Sequence, residues 1–286
     1  MFRNVLVGVD GRPSGRDAIA LAHRLTAPDG RLTLAHVHRS EVAEEREDSR
    51  KLLQAERIAA GMEAQLISVV STSPGRGLHE HAEKQGADLL VVGSCRHGAF
   101  ARTMLGDDAR AALNGAPCAI AIASRGYAER PARLAKIGLG YDGSPESKAA
   151  LAAAREIAAS TGASLHALEV VSLTVYSYTG IVPPAIGDSI DTFLQEGNRR
   201  LQQLPGVEGR AVYGLAGEEL AKFGDDVDIL IVGSRGYGPI RRLVLGSTSE
   251  YLERHARCPL LVLPLGDGSA RSGSDAHLDT PVRAPV

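Results

Sequence analysis

Residues Gly233-Ser234-Arg235-Gly236 run through nine residues to Gly246-Ser247, a G-x2-G-x9-G-S pattern directly behind the apolar run 229–232. That order of residue types suits anion chemistry. Glycine has no Cβ, so backbone amides can approach an anion closely and the chain can take positive φ. Ser247 opens a helical stretch and Glu250 follows three residues later, which reads as an S-x-x-E capping box. A phosphate at that helix start would meet free amides and the positive end of the helix dipole. Arg235, Arg241 and Arg242 would add charge-assisted contacts. A plainer reading stands beside this one: glycine after a strand is common turn punctuation, and Ser247 can simply cap its helix.

The same spacing occurs earlier with different chemistry. The run 89–92 leads into Gly93-Ser94-Cys95-Arg96, then nine residues to Gly106-Asp107. Arg96 puts a long side chain where a backbone amide would meet phosphate, and Asp107 puts a negative charge beside it. One unit of like charge at about 4 Å costs about 4 kcal/mol at an effective dielectric near 20. A micromolar affinity is worth only about 8 kcal/mol. The first copy is therefore expected to be a degenerate site, closed by an Arg96–Asp107 contact. The opposing reading makes Arg96 a phosphate binder.

The elements that must position these residues repeat as well. Residues 4–13 align with 136–145, residues 88–93 with 228–233, and residues 117–122 with 259–264. Three ordered matches make each half a whole domain rather than a solenoid unit. Short β-branched runs alternate with stretches of helical spacing. In the second half this predicts strands over 136–141, 164–170, 208–213, 228–232 and 260–263, with helices over 145–160, 187–203, 215–223 and 247–255. In the first half it predicts strands over 4–9, 31–37, 64–70, 88–92 and 118–122, with a charged helix over 41–60. Apolar strands alternating with helices imply an α/β fold: parallel strands, right-handed crossovers, helices on both faces. The expected division is a domain over 1–125, a linker from Arg125 to Arg133, a domain over 134–265, and a disordered tail over 266–286 poor in apolar pattern. An insertion over 172–188 reads either as a solvent loop or as a flap over the ligand.

In an open parallel sheet, ligands sit beyond the carboxyl ends of the strands. Asp142, Val170 and Gly233 all fall at such ends, so one pocket can gather them. Asp142-Gly143-Ser144-Pro145 is also a good Asx turn before a helix, and both roles are compatible.

Here the chain resembles the universal stress protein family in its tandem two-domain form. The resemblance rests on Val9-Asp10-Gly11, Tyr141-Asp142-Gly143-Ser144-Pro145, Val232-Gly233-Ser234-Arg235-Gly236, Leu245-Gly246-Ser247 and the Cys258–Val262 end. It covers nearly everything except the linker and tail. It implies two doubly wound domains, each a five-stranded parallel sheet of order 3-2-1-4-5. It implies that the halves pair through their last strands inside one chain. It also implies an adenine nucleotide, ATP with Mg2+, held by Gly233, Ser234, Arg235, Gly236, Gly246, Ser247 and Thr248 at the phosphates and ribose. Asp142 and Val170 would then meet the adenine. The expectation is one nucleotide per chain, in the C-terminal half.

Bulk properties agree with such a protein. A length of 286 residues is that of two domains, and a net charge of −2 argues against a general nucleic-acid or membrane-surface binder. Three scattered cysteines fit reduced thiols, and the absence of a long apolar stretch fits a cytoplasmic protein. There is no G-x4-G-K-[ST] and no G-x-S-x-G, so no catalytic residues are assigned. His79 and His81 are read as solvated, His36 and His38 share a strand face without a third metal ligand, and Asp225, Asp226 and Asp228 as a solvated turn. The leading expectation is an ATP-binding sensor or regulator in stress response. A slow ATPase or nucleotidyl transferase using the same pocket is the second reading, and a nucleotide-independent scaffold the third. Which adenine nucleotide is preferred, and whether a homodimer forms beyond the internal pair, stay open.

Overall fold

The computed structural model describes residues 1–94, 115–131, 133–172, 186–234, 243 and 246–264, with 186–189 in backbone alone. Arg96, Asp107, Arg235, Gly236, Arg241, Arg242, most of the 172–188 insertion and the 266–286 tail lie outside the described residues. In chain order the first half contains β1 (Phe2–Gly8), α1 (Pro13–Leu25), β2 (Thr26–His38), α2 (Ala43–Ala60), β3 (Gln65–Val70), α3 (Pro74–Gln85), β4 (Leu89–Gly93) and β5 (Ala119–Ala123). The second contains β6 (Lys136–Gly140), α4 (Pro145–Thr161), β7 (Ser164–Val171), α5 (Ile186–Gln202), β8 (Val207–Tyr213), α6 (Ala216–Phe223), β9 (Ile229–Gly233), α7 (Ser247–His255) and β10 (Leu260–Leu263). A 3-10 turn over Gly224–Asp226 follows α6.

The strands form one ten-stranded sheet of order β3-β2-β1-β4-β5-β10-β9-β6-β7-β8. Pairing is parallel within each half, and the seam is antiparallel, with Leu260, Leu261 and Val262 opposite Ile122, Ala121 and Ile120. The halves pair through their last strands, as the family resemblance implied, and this pairing joins them into a single mixed sheet. The physical reason is at the seam. Ala119, Ile120, Ala121, Leu260, Leu261 and Val262 are all buried, and two open edges of such strands would leave unpaired backbone groups and apolar faces in water.

Successive strand residues feed opposite cores. Val5, Val7, Leu89, Val91, Ile229 and Ile231 join one cluster with residues of α1, α2, α4 and α5. Leu6, Leu90, Val92, Leu230 and Val232 join the other with residues of α3, α6 and α7. Period-two alternation cannot make a strand amphipathic when both faces are covered, so these strands read as continuous apolar runs. Each fully buried leucine or valine contributes about 1.5–3 kcal/mol relative to exposure.

Two carboxylates outside the cores fasten strand starts. Asp88 accepts the N–H groups of Arg3 and Asn4 at 2.8 and 2.9 Å, and Asp228 accepts those of Ala135 and Lys136, both at 2.8 Å. Asp228 is therefore a structural acceptor for the start of β6, not a solvated turn residue. The linker is fastened too. Asp17 on α1, only 3% exposed, accepts the N–H groups of Gly126 and Ala128 at 2.9 and 2.8 Å, while Tyr127 between them is buried in the core. His79 and His81 on α3 are half-buried rather than solvated, and burial lowers the pKa of His81. No helix among the described residues is long and apolar enough to cross a membrane.

Candidate functional site

Three segments far apart in sequence meet at the carboxyl ends of β6, β7 and β9. They enclose a cleft of about 710 Å³ whose lining includes Asp142, Val170, Gly233, Ser234, Gly246 and Thr248. That volume lies within the range of small-molecule sites. Leu168, Val170, Leu220 and Val232 give it an apolar wall, and Ser144, Ser147, Ser172 and Ser249 add hydroxyls.

The Asp142 corner is built by a turn. The Ser144 N–H donates to Asp142 Oδ1 at 3.0 Å, which is the Asx turn read from the sequence. Ser144 then caps α4, its Oγ accepting the Ser147 N–H at 3.1 Å, with Pro145 in the first helical turn. Partial desolvation against this turn pushes the Asp142 carboxyl up, but hydrogen bonds from Ser144 and Ser147 outweigh it and hold the pKa below the ordinary aspartate value. The residue is nonetheless exposed toward the cleft. Asp142 thus presents a carboxylate acceptor, not a carboxylic acid, at neutral pH.

Gly233 has a packing reason beside the one its spacing implies. A Cβ there would lie 2.7 Å from the Glu146 carbonyl carbon, carbonyl oxygen and Cβ. The glycine lets the first turn of α4 press onto the end of β9. The backbone of Ser234 is also committed, since its N–H donates to the Leu263 carbonyl at 2.8 Å and the residue is 2% exposed. Its amide serves the sheet rather than an anion.

At the far end of the cleft, α7 begins one residue earlier than a Ser247 cap would require. Gly246 is the cap residue, at φ −78° and ψ 166°, and the Glu250 N–H bonds to its carbonyl at 3.0 Å. Ser247 is the first helical residue and is exposed, and the Glu250 carboxylate reaches Arg254 at 2.8 Å. The expected capping box is thus replaced by a glycine cap with no side chain to spend on the first-turn amides. Such amides, with the dipole behind them, are what a bound anion can use. Gly246 and Thr248 line the cleft, with Ser247 between them in the chain. Arg235 and Gly236 lie outside the described residues.

Sequence reasoning missed an ion pair built on a buried carboxylate behind this site. Glu169, 6% exposed, receives Arg200 Nε at 3.0 Å and Nη2 at 2.9 Å. The only sequence signal is an acidic residue inside the apolar run of β7; nothing there points to a partner 31 residues away. The matching place in the first half holds a network of histidine and serine side chains instead. His36 Nδ1 meets Ser49 Oγ at 3.0 Å, Ser68 Oγ donates to Ser49 Oγ at 2.9 Å, and Ser68 Oγ meets His38 Nε2 at 2.7 Å. The shared face of His36 and His38 therefore serves hydrogen bonding. Among the described residues, no three metal-capable side chains gather.

A doubled, doubly wound α/β unit with a cleft at the carboxyl ends of its parallel strands defines a broad class of ligand-binding folds. The universal stress protein family model matches residues 1–124 and again 134–264, and the chain belongs to that family. A universal stress protein of Mycobacterium tuberculosis is 28% identical over 222 residues, covering 73% of this chain and 75% of the relative. One from Thermus aquaticus is 32% identical over 141 residues, covering 44% of this chain and 95% of the relative. The solved structure of a universal stress protein from Archaeoglobus fulgidus shares the fold, with a TM-score of 0.61 at 18% identity, over 92% of this chain and 98% of that one.

Proposed function

We propose that the C-terminal half binds one adenine nucleotide, ATP accompanied by Mg2+, and that occupancy makes the chain a cytoplasmic sensor or regulator in stress response. The observation that carries this reading is the convergence in one cleft of Asp142, Val170, Gly233, Ser234, Gly246 and Thr248. The residues fit the ligand at both ends. An apolar wall beside a carboxylate acceptor suits a purine that carries an exocyclic amine. A helix start with a glycine cap suits a phosphate chain. With the Ser234 amide bonded to Leu263 and Gly233 pressed against Glu146, the phosphates would rely on the 246–248 turn, on Gly236 and on the arginines at 235, 241 and 242. In the first half, Arg96 and Asp107 would make the matching place degenerate, so the stoichiometry is one per chain. That half serves as the structural mate of the second across the β5–β10 seam.

The test joins mass spectrometry of the nucleotide that copurifies with the full chain to titration calorimetry with ATP, ADP and AMP. One site per chain is expected. The pair Gly236→Arg with Ser247→Asp should abolish it and leave the thermal transition in place. Two equivalent sites, or binding retained in that variant, would sink the assignment. Phosphate release that persists through purification and vanishes in the variant would move the reading to an ATPase.

A further inference from the structure

The turn that carries Asp142 crosses the carboxyl edge of the sheet, so its two residues face opposite sides. Asp142 lines the cleft, together with Leu168 and Val170. Gly143 looks the other way, toward α5. A Cβ on it would lie 2.9 Å from Arg200 Cδ, 3.6 Å from Nε and 3.8 Å from Nη1. Gly143 also sits at φ +79°, in the left-handed region that a side chain would strain. Arg200 therefore forms the floor on which this turn rests.

What holds the floor is the buried carboxylate. Glu169 lies between Leu168 and Val170 on β7 and alternates with them onto the α5 face. Its side chain is 8% exposed against 43% for Arg200, and the two meet in a fork at 3.0 and 2.9 Å. Fork geometry fixes the guanidinium plane as well as its distance. Gly197 on α5 leaves room for the pair, since a Cβ there would lie 3.1 Å from Glu169 Cδ and Oε1. Asp142 adds to the negative field that raises the Arg200 pKa, after the Glu169 hydrogen bonds and charge and that of Glu196. The first half solves the same packing problem without charge. There Gly11, at φ +72°, would place a Cβ 2.7 Å from Leu52 Cδ1. The strand position matching Glu169 holds His36, because Gly8 pairs with Ala35 where Gly140 pairs with Leu168.

We propose that Arg200 is a positioning residue of the nucleotide site: forked on buried Glu169 and packed under Gly143, it locks the turn that presents Asp142 to the base end of the cleft. This rests on the nucleotide reading above. It adds that recognition of the base, not of the phosphates, depends on a charge pair behind the wall of the cleft. The arginine touches no ligand and acts through the turn.

The test uses the full chain and three ligands that share a base: adenosine, AMP and ATP. Removing Arg200 alone would strand the Glu169 charge and confound folding, so the main variant is the double Glu169→Gln, Arg200→Met. Calorimetry is expected to show all three ligands weakened by the same factor, roughly tenfold, as for a lost charged hydrogen bond. Ser247→Asp should instead weaken ATP most and adenosine least. Arg200→Lys should recover part of the loss, because an ammonium keeps the charge without the fork. A second readout needs no ligand: amide exchange at Ser144 and Ser147, the N–H groups bonded inside the turn, should quicken in the double variant. Unchanged adenosine affinity, or a lower thermal midpoint with unchanged exchange at those amides, would overturn the proposal. A wild-type chain that binds none of the three ligands overturns the nucleotide reading and the positioning role with it. Binding without Arg200 dependence overturns the positioning role alone.

Discussion

Gly233→Ala separates two explanations of the same glycine. If the residue exists for an anion, adding a methyl should cost affinity and leave the ligand-free protein as stable as before. The geometry says otherwise. The new Cβ would stand 2.7 Å from three atoms of Glu146, two of them backbone, whereas ordinary contacts begin at 3.4 Å. The first turn of α4 must therefore retreat by about 0.7 Å (3.4 − 2.7 Å), because a backbone cannot rotate away as a side chain would. Overpacking of this kind costs about 1–3 kcal/mol. The retreat would also drag Ser144 and Asp142, which are tied to that turn by hydrogen bonds. Urea unfolding of the ligand-free full chain should show the loss as a lower midpoint at unchanged slope, and calorimetry should show weaker ATP binding. An unchanged urea midpoint would refute the packing argument and return Gly233 to the phosphate.

Other perturbations test neighbouring parts of the structure. Asp17→Ala leaves the Gly126 and Ala128 amides without their acceptor; a loss of about 2–4 kcal/mol in urea unfolding is expected, with Asp17→Asn recovering part. The pKa of His36 is lowered by burial and by His38, only partly offset by Asp10, so the native protein binds this proton less readily than the unfolded chain. Its contribution is then fully present above the ordinary histidine value near 6.5 and is lost as pH falls below it toward the native pKa. Urea midpoints should fall between pH 8 and pH 5, and His36→Gln should flatten that slope; an equally steep slope in the variant would exclude this histidine as the cause. Burial pushes the thiols of Cys118 and Cys258 up to about 12. In a Cys95→Ser background, buried Cys118 should not react with a thiol reagent at pH 8 until the chain is unfolded, and its rapid labelling would contradict that burial.

Much of the architecture is legible because both-face burial writes itself into runs of apolar residues. The expected strand over 228–232 is found at Ile229–Gly233, the helix over 145–160 at Pro145–Thr161, and the charged helix over 41–60 at Ala43–Ala60. Where local pattern and hydrogen bonding diverge, the expectation slips. β2 starts at Thr26 rather than residue 31, because Thr26 pairs with Phe2 ahead of a register shift between Phe2 and Asn4. The capping box at Ser247 failed for a similar reason: the pattern S-x-x-E is local, but the extended φ and ψ fell on Gly246.

The sequence by itself determined that the chain is a doubled α/β unit, that Asp142 closes a turn, and where the candidate cleft would gather. The turn depends on residues close together in the chain, and the doubling and the cleft on a repeat and on strand ends that spacing and residue type mark out. Only the tertiary structure decided the antiparallel register of the seam, that Gly233 yields to a helix, that the Ser234 amide belongs to β10, and that Glu169 meets Arg200. Those facts depend on which distant atoms come within about 3 Å of each other, the reach of a hydrogen bond. A linear pattern carries no record of that distance, and packing supplies it.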